Sequence, residues 1–258
     1  MLNSRFRDAC VYPESTSRMN PLAEQGHRPW PVPKRPWMMV QVWRDLLFAH
    51  WNVSPAGIRP LVPHQLELDI FGGDAWISIT PFHMSLRLRG LPQLPGMFDF
   101  PELNCRTYVN VGGKPGICFF SLDTANRAAV WGARSFYHLP YFHAQMRAER
   151  RGDSISYFSK RGEAAWRATY APVSPAQRAQ PGSLDYFLVE RYCLYTVWNG
   201  RAYRGEIHHV PWPLQSASVK IEENTVAQAV GIHISSTPAA VSFARELKVL
   251  LWNLERIS

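Results

Sequence analysis

The sequence predicts an α+β fold in which antiparallel strands form a barrel-like or strongly curved sheet beside one main helix. Three observations lead there. Residues 66–70 and 104–111 alternate apolar and polar side chains, the period of a half-buried strand. Strand-like runs are separated by the tight-turn signals Gly72-Gly73, Gly112-Gly113 and Asn199-Gly200. An Ala-rich stretch at residues 125–139 has the length of a helix and no internal proline.

Along the chain, residues 1–36 mix six prolines with charges and have no hydrophobic period. Such a segment buries too little to offset its ordering entropy, so a flexible tail is expected. A single domain is expected over residues 37–258, because a chain that is 46% hydrophobic and 19% charged can build a core. Residues 43–51 fit a helix or a strand, and residues 55–62 a brief helix closed by Pro63. A strand at 66–70 turns at Gly72-Gly73-Asp74 into a second at 76–88, where Pro81 implies an edge or a bulge. Residues 90–101 read as a loop. Strands at 104–111 and 117–122 flank the turn at 112–116. Asp123 or Thr124 can cap the helix at 125–139, which Pro140 ends. Strands follow at about 141–150, 154–161 and 163–171, then a short helix at 182–189 capped by Ser183. The strands 190–197 and 202–209 around Asn199-Gly200 make the clearest hairpin. Residues 224–229 suggest a short helix, and 241–254 fit either strand or helix.

The formal charge of +8 comes from scattered arginines, the densest group being Arg147, Arg150 and Arg151. That reads as a solvated basic surface that would steer anions, with no nucleic-acid partner expected. Cys10, Cys105, Cys118 and Cys193 have no CxxC or zinc spacing, so no metal and a reducing, cytoplasmic compartment are expected. No run is apolar enough to span a membrane, and the N-terminus lacks the apolar core of a signal peptide. No cofactor-binding glycine loop occurs, so no cofactor is expected. Homo-oligomerisation stays open.

Four constellations could carry chemistry. Asn104, Arg106 and Tyr108 share one strand face, which would either face water or line a cavity; the planar Arg106 fork suits a carboxylate, unless Glu102 and Arg106 pair structurally. Arg134 and His138 share a helix face, and Tyr141 and His143 a strand face, where the histidines suit proton transfer. In Glu190-Arg191-Tyr192, Glu190 and Tyr192 go together and Arg191 points away; one of the two charges needs a partner or a wet cavity. In His208-His209 the rings diverge, and His209 with Trp212 makes a pocket wall rather than a metal site. Ser183 reads as a helix cap and Lys220 as a solvated strand position.

The chain resembles the YqjF-like bacterial family of the acetoacetate decarboxylase-like superfamily. The resemblance is carried by Leu61-Val62-Pro63, Phe100-Pro101-Glu102-Leu103-Asn104, Arg106-Thr107-Tyr108-Val109, Leu139-Pro140-Tyr141, Phe187-Leu188-Val189-Glu190-Arg191-Tyr192 and Pro211-Trp212-Pro213-Leu214. It implies an α+β fold of two similar units around a barrel-like core with a central pocket. Arg134, five residues and Pro140 repeat a spacing found in the decarboxylases, where the proline precedes lysines, one of which forms a Schiff base. Here Tyr141 and Phe142 stand in those places, and neither can form an imine. Lys114 or Lys220 would have to enter the pocket to restore that chemistry. The expected function is binding of a small anionic organic molecule of keto- or hydroxy-acid type, with acid–base chemistry and no Schiff base. Arg106 or Arg134 would hold a carboxylate, with Glu102, Tyr192, His209 and Trp212 around it. His138, His143 or Glu190 would move protons, and Tyr141 would donate a hydrogen bond. The alternative is a non-catalytic binding or scaffold protein whose polar groups satisfy one another.

Overall fold

A computed structural model of the chain describes residues 20–91 and 98–257. Its elements are β1 (Met39–Val53), α1 (Pro55–Ile58), β2 (Glu67–Leu68), β3 (Ala75–Leu88), β4 (Asp99–Val111), β5 (Lys114–Thr124), α2 (Arg127–Tyr137), β6 (Tyr141–His143), β7 (Gln145–Arg151), β8 (Ser154–Arg161), β9 (Ala164–Pro172), α3 (Leu184–Val189), β10 (Cys193–Trp198), β11 (Arg201–His208), β12 (Gln215–Asn224) and β13 (Ala240–Arg256). One curved sheet contains every strand, in the order β1-β3-β4-β5-β10-β11-β13-β12-β9-β8-β7, with β2 on β4 and β6 on β5. Because β13 also pairs with β1, the first seven strands of that order form a closed circuit of pairings. All seven contribute to one apolar cluster, which includes Phe48, Phe82, Tyr108, Leu122, Leu194, Ile207 and Leu247. The arm β7–β8–β9–β12 lays Ile155, Tyr157, Trp166 and Tyr170 against Leu47, Ile79, Leu103 and Cys105 in a second cluster. Strand β4 is therefore covered on both faces, and its polar face is interior.

The sheet is mixed rather than antiparallel throughout. β5 runs parallel to β10 and to β6, which the turn signals could not reveal because they report only local hairpins. At the β5–β10 contact a Cβ on Gly116 would lie 2.6 Å from the Cys193 carbonyl oxygen, so this glycine serves close strand approach as well as the turn. The expected strand at 141–150 is two strands, β6 and β7. Residues 241–254 belong to β13, and residues 43–51 to β1. Pro81 lies inside β3 opposite a register shift of β1 between Arg44 and Ala49, where its missing N–H costs no ladder bond.

The helices also differ from expectation. α2 is the longest, but α1 and α3 accompany it. Its cap is Asn126, whose side chain accepts from the Ala129 N–H, because Asp123 and Thr124 are still in β5. It ends at Tyr137, where His138 turns left-handed (φ 50°), before Pro140 is reached. Ser183 caps α3 as its spacing predicts. The helix expected at 224–229 is a single 3-10 turn at Gln228–Val230, and that expected at 55–62 is α1 followed by a 3-10 turn at Arg59–Leu61.

The tail expected at 1–36 differs from the structure over residues 20–36; residues 1–19, like loop residues 92–97, lie outside the described residues. Arg28 is buried between the Trp30 and Tyr192 rings and pairs with buried Glu206 at 2.6 Å. Trp30 Nε1 donates to the same carboxylate at 2.8 Å, and His27 bonds the His209 carbonyl at 2.8 Å. Composition hides this because a few anchors fix the segment, without any periodic apolar face.

Candidate functional site inside the strand circuit

Strand β4 alternates strictly, so Glu102, Asn104, Arg106 and Tyr108 all face the interior cluster, and all four are buried. Asn104 is occupied by a hydrogen bond from Thr80 on β3. Glu102 and Arg106 are four residues apart, about 13 Å along a strand, and they do not pair. Among the described residues neither has an ion-pair partner within 4 Å. The Arg106 guanidinium lies 5.4 Å above the Phe48 ring. Its buried Nε has no acceptor among the described residues. Burial, and secondarily the charge of Arg191, lower its pKa.

Beside it, His50 on β1 and Ser78 on β3 extend the polar cluster. Ser78 Oγ lies 2.6 Å from His50 Nδ1 and 2.5 Å from the Tyr108 hydroxyl. Burial, with the Arg106 charge second, holds the His50 pKa well below the ordinary imidazole range, so the ring is neutral near pH 7.

At the other end of the face, the Tyr141 hydroxyl donates to Glu102 Oε2 at 2.8 Å. The parallel pairing of β6 with β5 puts it there, since Tyr141 is opposite Leu122 and turns the same way. Burial pushes the Glu102 carboxyl up to about 8, against a partial lowering by the Tyr141 bond. Glu102 thus holds a proton at neutral pH and can give it up over a modest pH change. Tyr141 is raised well above its ordinary value by burial and then by Glu102, so it stays protonated and acts as a donor.

The strand expected at 190–197 is β10 (Cys193–Trp198), and Glu190 caps the C-terminal end of α3 instead; the Tyr192 hydroxyl still reaches back and donates to Glu190. The Trp212 backbone N–H donates to its other oxygen at 2.9 Å. The Tyr192 and His209 rings stack at 4.7 Å, and the His209 nitrogens lie 2.8 Å from the Val210 carbonyl and 3.3 Å from the Arg191 carbonyl, to one of which the neutral ring donates. Burial lowers His209 to about 4. Arg191 points away and pairs with Asp69. Trp212 links the two regions: its indole packs 4.9 Å from Phe48 while its backbone holds Glu190.

Residues 40–248 match the model of DUF2071, a family of uncharacterised conserved proteins. The chain belongs to the DUF2071 family. It is 51% identical over 231 residues to the uncharacterised protein YqjF of Bacillus subtilis (strain 168), covering 88% of this chain and 96% of that one. Among solved structures it is similar to an acetoacetate decarboxylase from Legionella pneumophila, at TM-score 0.61 and 14% identity over 95% of this chain and 98% of that one. It is also similar to the enduracididine biosynthesis enzyme MppR complexed with pyruvate, at TM-score 0.62 and 11% identity over 87% and 92%. At these identities the likenesses establish the acetoacetate decarboxylase-like fold.

In this DUF2071 chain, Glu102, Arg106, Tyr141, Glu190, Tyr192, His209 and Trp212 all reach the interior. Three other expected site residues do not join them. Arg134 is exposed on α2, where its Nε donates to the Tyr141 carbonyl at 2.7 Å and its charge lies over Phe142. His138 is the left-handed cap of α2, and its ring stacks on Trp198 at 4.2 Å. His143 is exposed because β6 ends at the sheet's edge, so sharing parity with Tyr141 does not carry it inward. Among the described residues no lysine is buried: Lys114 lies 3.4 Å from Glu206, and Lys220 is exposed. Two hollows elsewhere, along Arg59–His64 and beside Asp45, His83 and Tyr170, include neither Arg106 nor Glu102. His50 and Ser78 escape sequence reading, since each is a lone polar residue in an apolar run and becomes a site candidate only when β1, β3 and β4 are side by side.

Proposed function

We propose that the protein binds a small organic anion inside the strand circuit, with Arg106 holding its carboxylate and the Glu102–Tyr141 pair supplying a proton to or taking one from its other end, without an imine. One observation carries this reading: Arg106 is a buried charge with no ion-pair partner among the described residues, on the same strand face as Glu102, whose carboxyl burial keeps protonated. A buried charge left unpaired is costly, and such groups persist where a ligand or a reaction uses them. Tyr141 in place of a lysine, together with the absence of a buried lysine among the described residues, disfavours Schiff-base chemistry. The pyruvate held by the structurally similar MppR supports an organic acid as the ligand. Keto acids and hydroxy acids are the classes to try first.

A thermal-shift panel of such acids tests the proposal. Stabilisation by at least one acid is expected, since a ligand bound only by the folded state raises apparent stability. The shift is expected to vanish in Arg106→Ala. Borohydride treatment with candidate ketones is expected to leave the mass of the protein unchanged; a lysine adduct would overturn the exclusion of an imine. The second reading, a scaffold with a structural polar core, draws support from the closed bonding of Glu190, and a flat panel would favour it.

A further inference from the structure

The Phe48 ring has three polar neighbours. The Arg106 guanidinium is 5.4 Å from it, the His50 ring 5.8 Å and the Trp212 indole 4.9 Å. Each of the three carries a buried nitrogen with no partner among the described residues: Arg106 Nε, His50 Nε2 and Trp212 Nε1. The arginine and tryptophan nitrogens can only donate. The histidine is settled by its other side. The Tyr108 proton can go to Ser78 Oγ at 2.5 Å or to His50 Nδ1 at 3.3 Å. Ser78 in turn reaches Nδ1 at 2.6 Å. Only with Nδ1 as the acceptor do the Tyr108 and Ser78 protons both find a partner among these atoms, and a neutral imidazole then carries its hydrogen on Nε2. The reverse direction would leave the Tyr108 or the Ser78 proton with nowhere to go.

Three N–H donors, one of them cationic, thus surround one aromatic ring, each with a nitrogen that lacks an acceptor. An unmet buried donor costs about 1–3 kcal/mol, which favours an incoming acceptor. The aromatic surroundings, Phe48 with Trp43 stacked on Trp212 at 5.8 Å, suit the carbon body of an organic acid better than a hydrated inorganic anion. We propose that Arg106, His50 and Trp212 together form a receptor for one carboxylate group, with Tyr108 and Ser78 holding His50 in the tautomer that donates from Nε2. This rests on the anion-binding reading above and adds the donors that recognise the anion.

Trp212→Phe tests it cleanly, because it removes an N–H that bonds nothing and keeps a ring against Phe48. Wild type, Trp212→Phe and Arg106→Met are titrated calorimetrically with pyruvate, hexanoate and benzoate, with hexanamide and benzamide as uncharged controls. Histidine nitrogens are followed by NMR in parallel. At least one carboxylate is expected to bind wild type where the amides do not. Trp212→Phe should weaken it about tenfold, and the His50 Nε2–H signal should move with the acid only. If Arg106→Met abolishes binding while Trp212→Phe binds normally or His50 carries its proton on Nδ1, the three-donor receptor is wrong and the Arg106 reading stands. If no carboxylate binds wild type, or Arg106→Met binds it as well, both fall.

Discussion

The Glu190 and Arg106 neighbourhoods lie in one interior and touch through Trp212, yet they treat a buried charge in opposite ways. The Glu190 carboxylate itself is fully bonded, although His27 Nδ1 and His208 Nδ1 nearby have no partner among the described residues. Tyr192 and the Trp212 N–H take its two oxygens, Arg191 beside it has Asp69, and the Arg28–Glu206 pair seals the flank. Around Arg106 the bonding is open: the guanidinium, His50 and Trp212 each keep a nitrogen with no partner among the described residues, and no carboxylate among them lies within ion-pair distance of Arg106. A closed polar network contributes rigidity and specifies the packing, whereas an open one is costly to a scaffold and useful to a ligand. The contrast assigns the first region to architecture and the second to function.

The first expected effect tests the architectural half. Glu190→Ala removes the acceptor of two buried donors at once and should cost about 3 kcal/mol in urea unfolding. A cost below about 1 kcal/mol would place Glu190 in the open class with Arg106.

Glu102 gives the next effect, through pH. Its folded value of about 8 lies above the ordinary 4.5, so between those limits the folded state binds more protons than the unfolded one. The stability it contributes is fully present below pH 4.5 and is lost as pH rises through about 8. Stability should fall over that window by an amount on the order of a few kcal/mol, and Glu102→Gln should flatten the curve. A Glu102→Gln curve that parallels wild type would mean that Glu102 ionises freely and cannot serve as the proton carrier.

The smallest effect concerns a residue outside both regions. His143→Ala, at an exposed strand end, should change stability by less than about 0.5 kcal/mol and leave acid binding unaltered. A marked loss of binding would extend the site to the edge of the sheet.

Much of this arrangement is legible in sequence, within limits set by the range of each signal. Strand parity puts Arg106 with Asn104 and Tyr108, because the side-chain period of 2 holds whatever the strand packs against, whereas Glu190 and Tyr192 meet outside any strand, at the end of α3. Parity does not say where a strand ends or what covers it, so His143 is read inward with Tyr141, and the polar face of β4 can be water-facing or interior. The parallel β5–β6 pairing that brings Tyr141 to Glu102 leaves no turn signature. His50 and Ser78 sit alone in their own strands, and their link to Arg106 exists only across three strands. The anchors of residues 20–36 are likewise invisible to composition, since Arg28 and His27 bond partners roughly 180 residues away.

The central claim is that Arg106 is buried for a ligand and not for the fold. Unfolding free energy and carboxylate binding measured together on Arg106→Met test it most directly. Replacing an unpaired buried charge by an apolar side chain of similar length should cost less than about 1 kcal/mol or even stabilise the protein, while binding of the acid is lost. A drop of several kcal/mol in stability with acid binding intact would contradict the account.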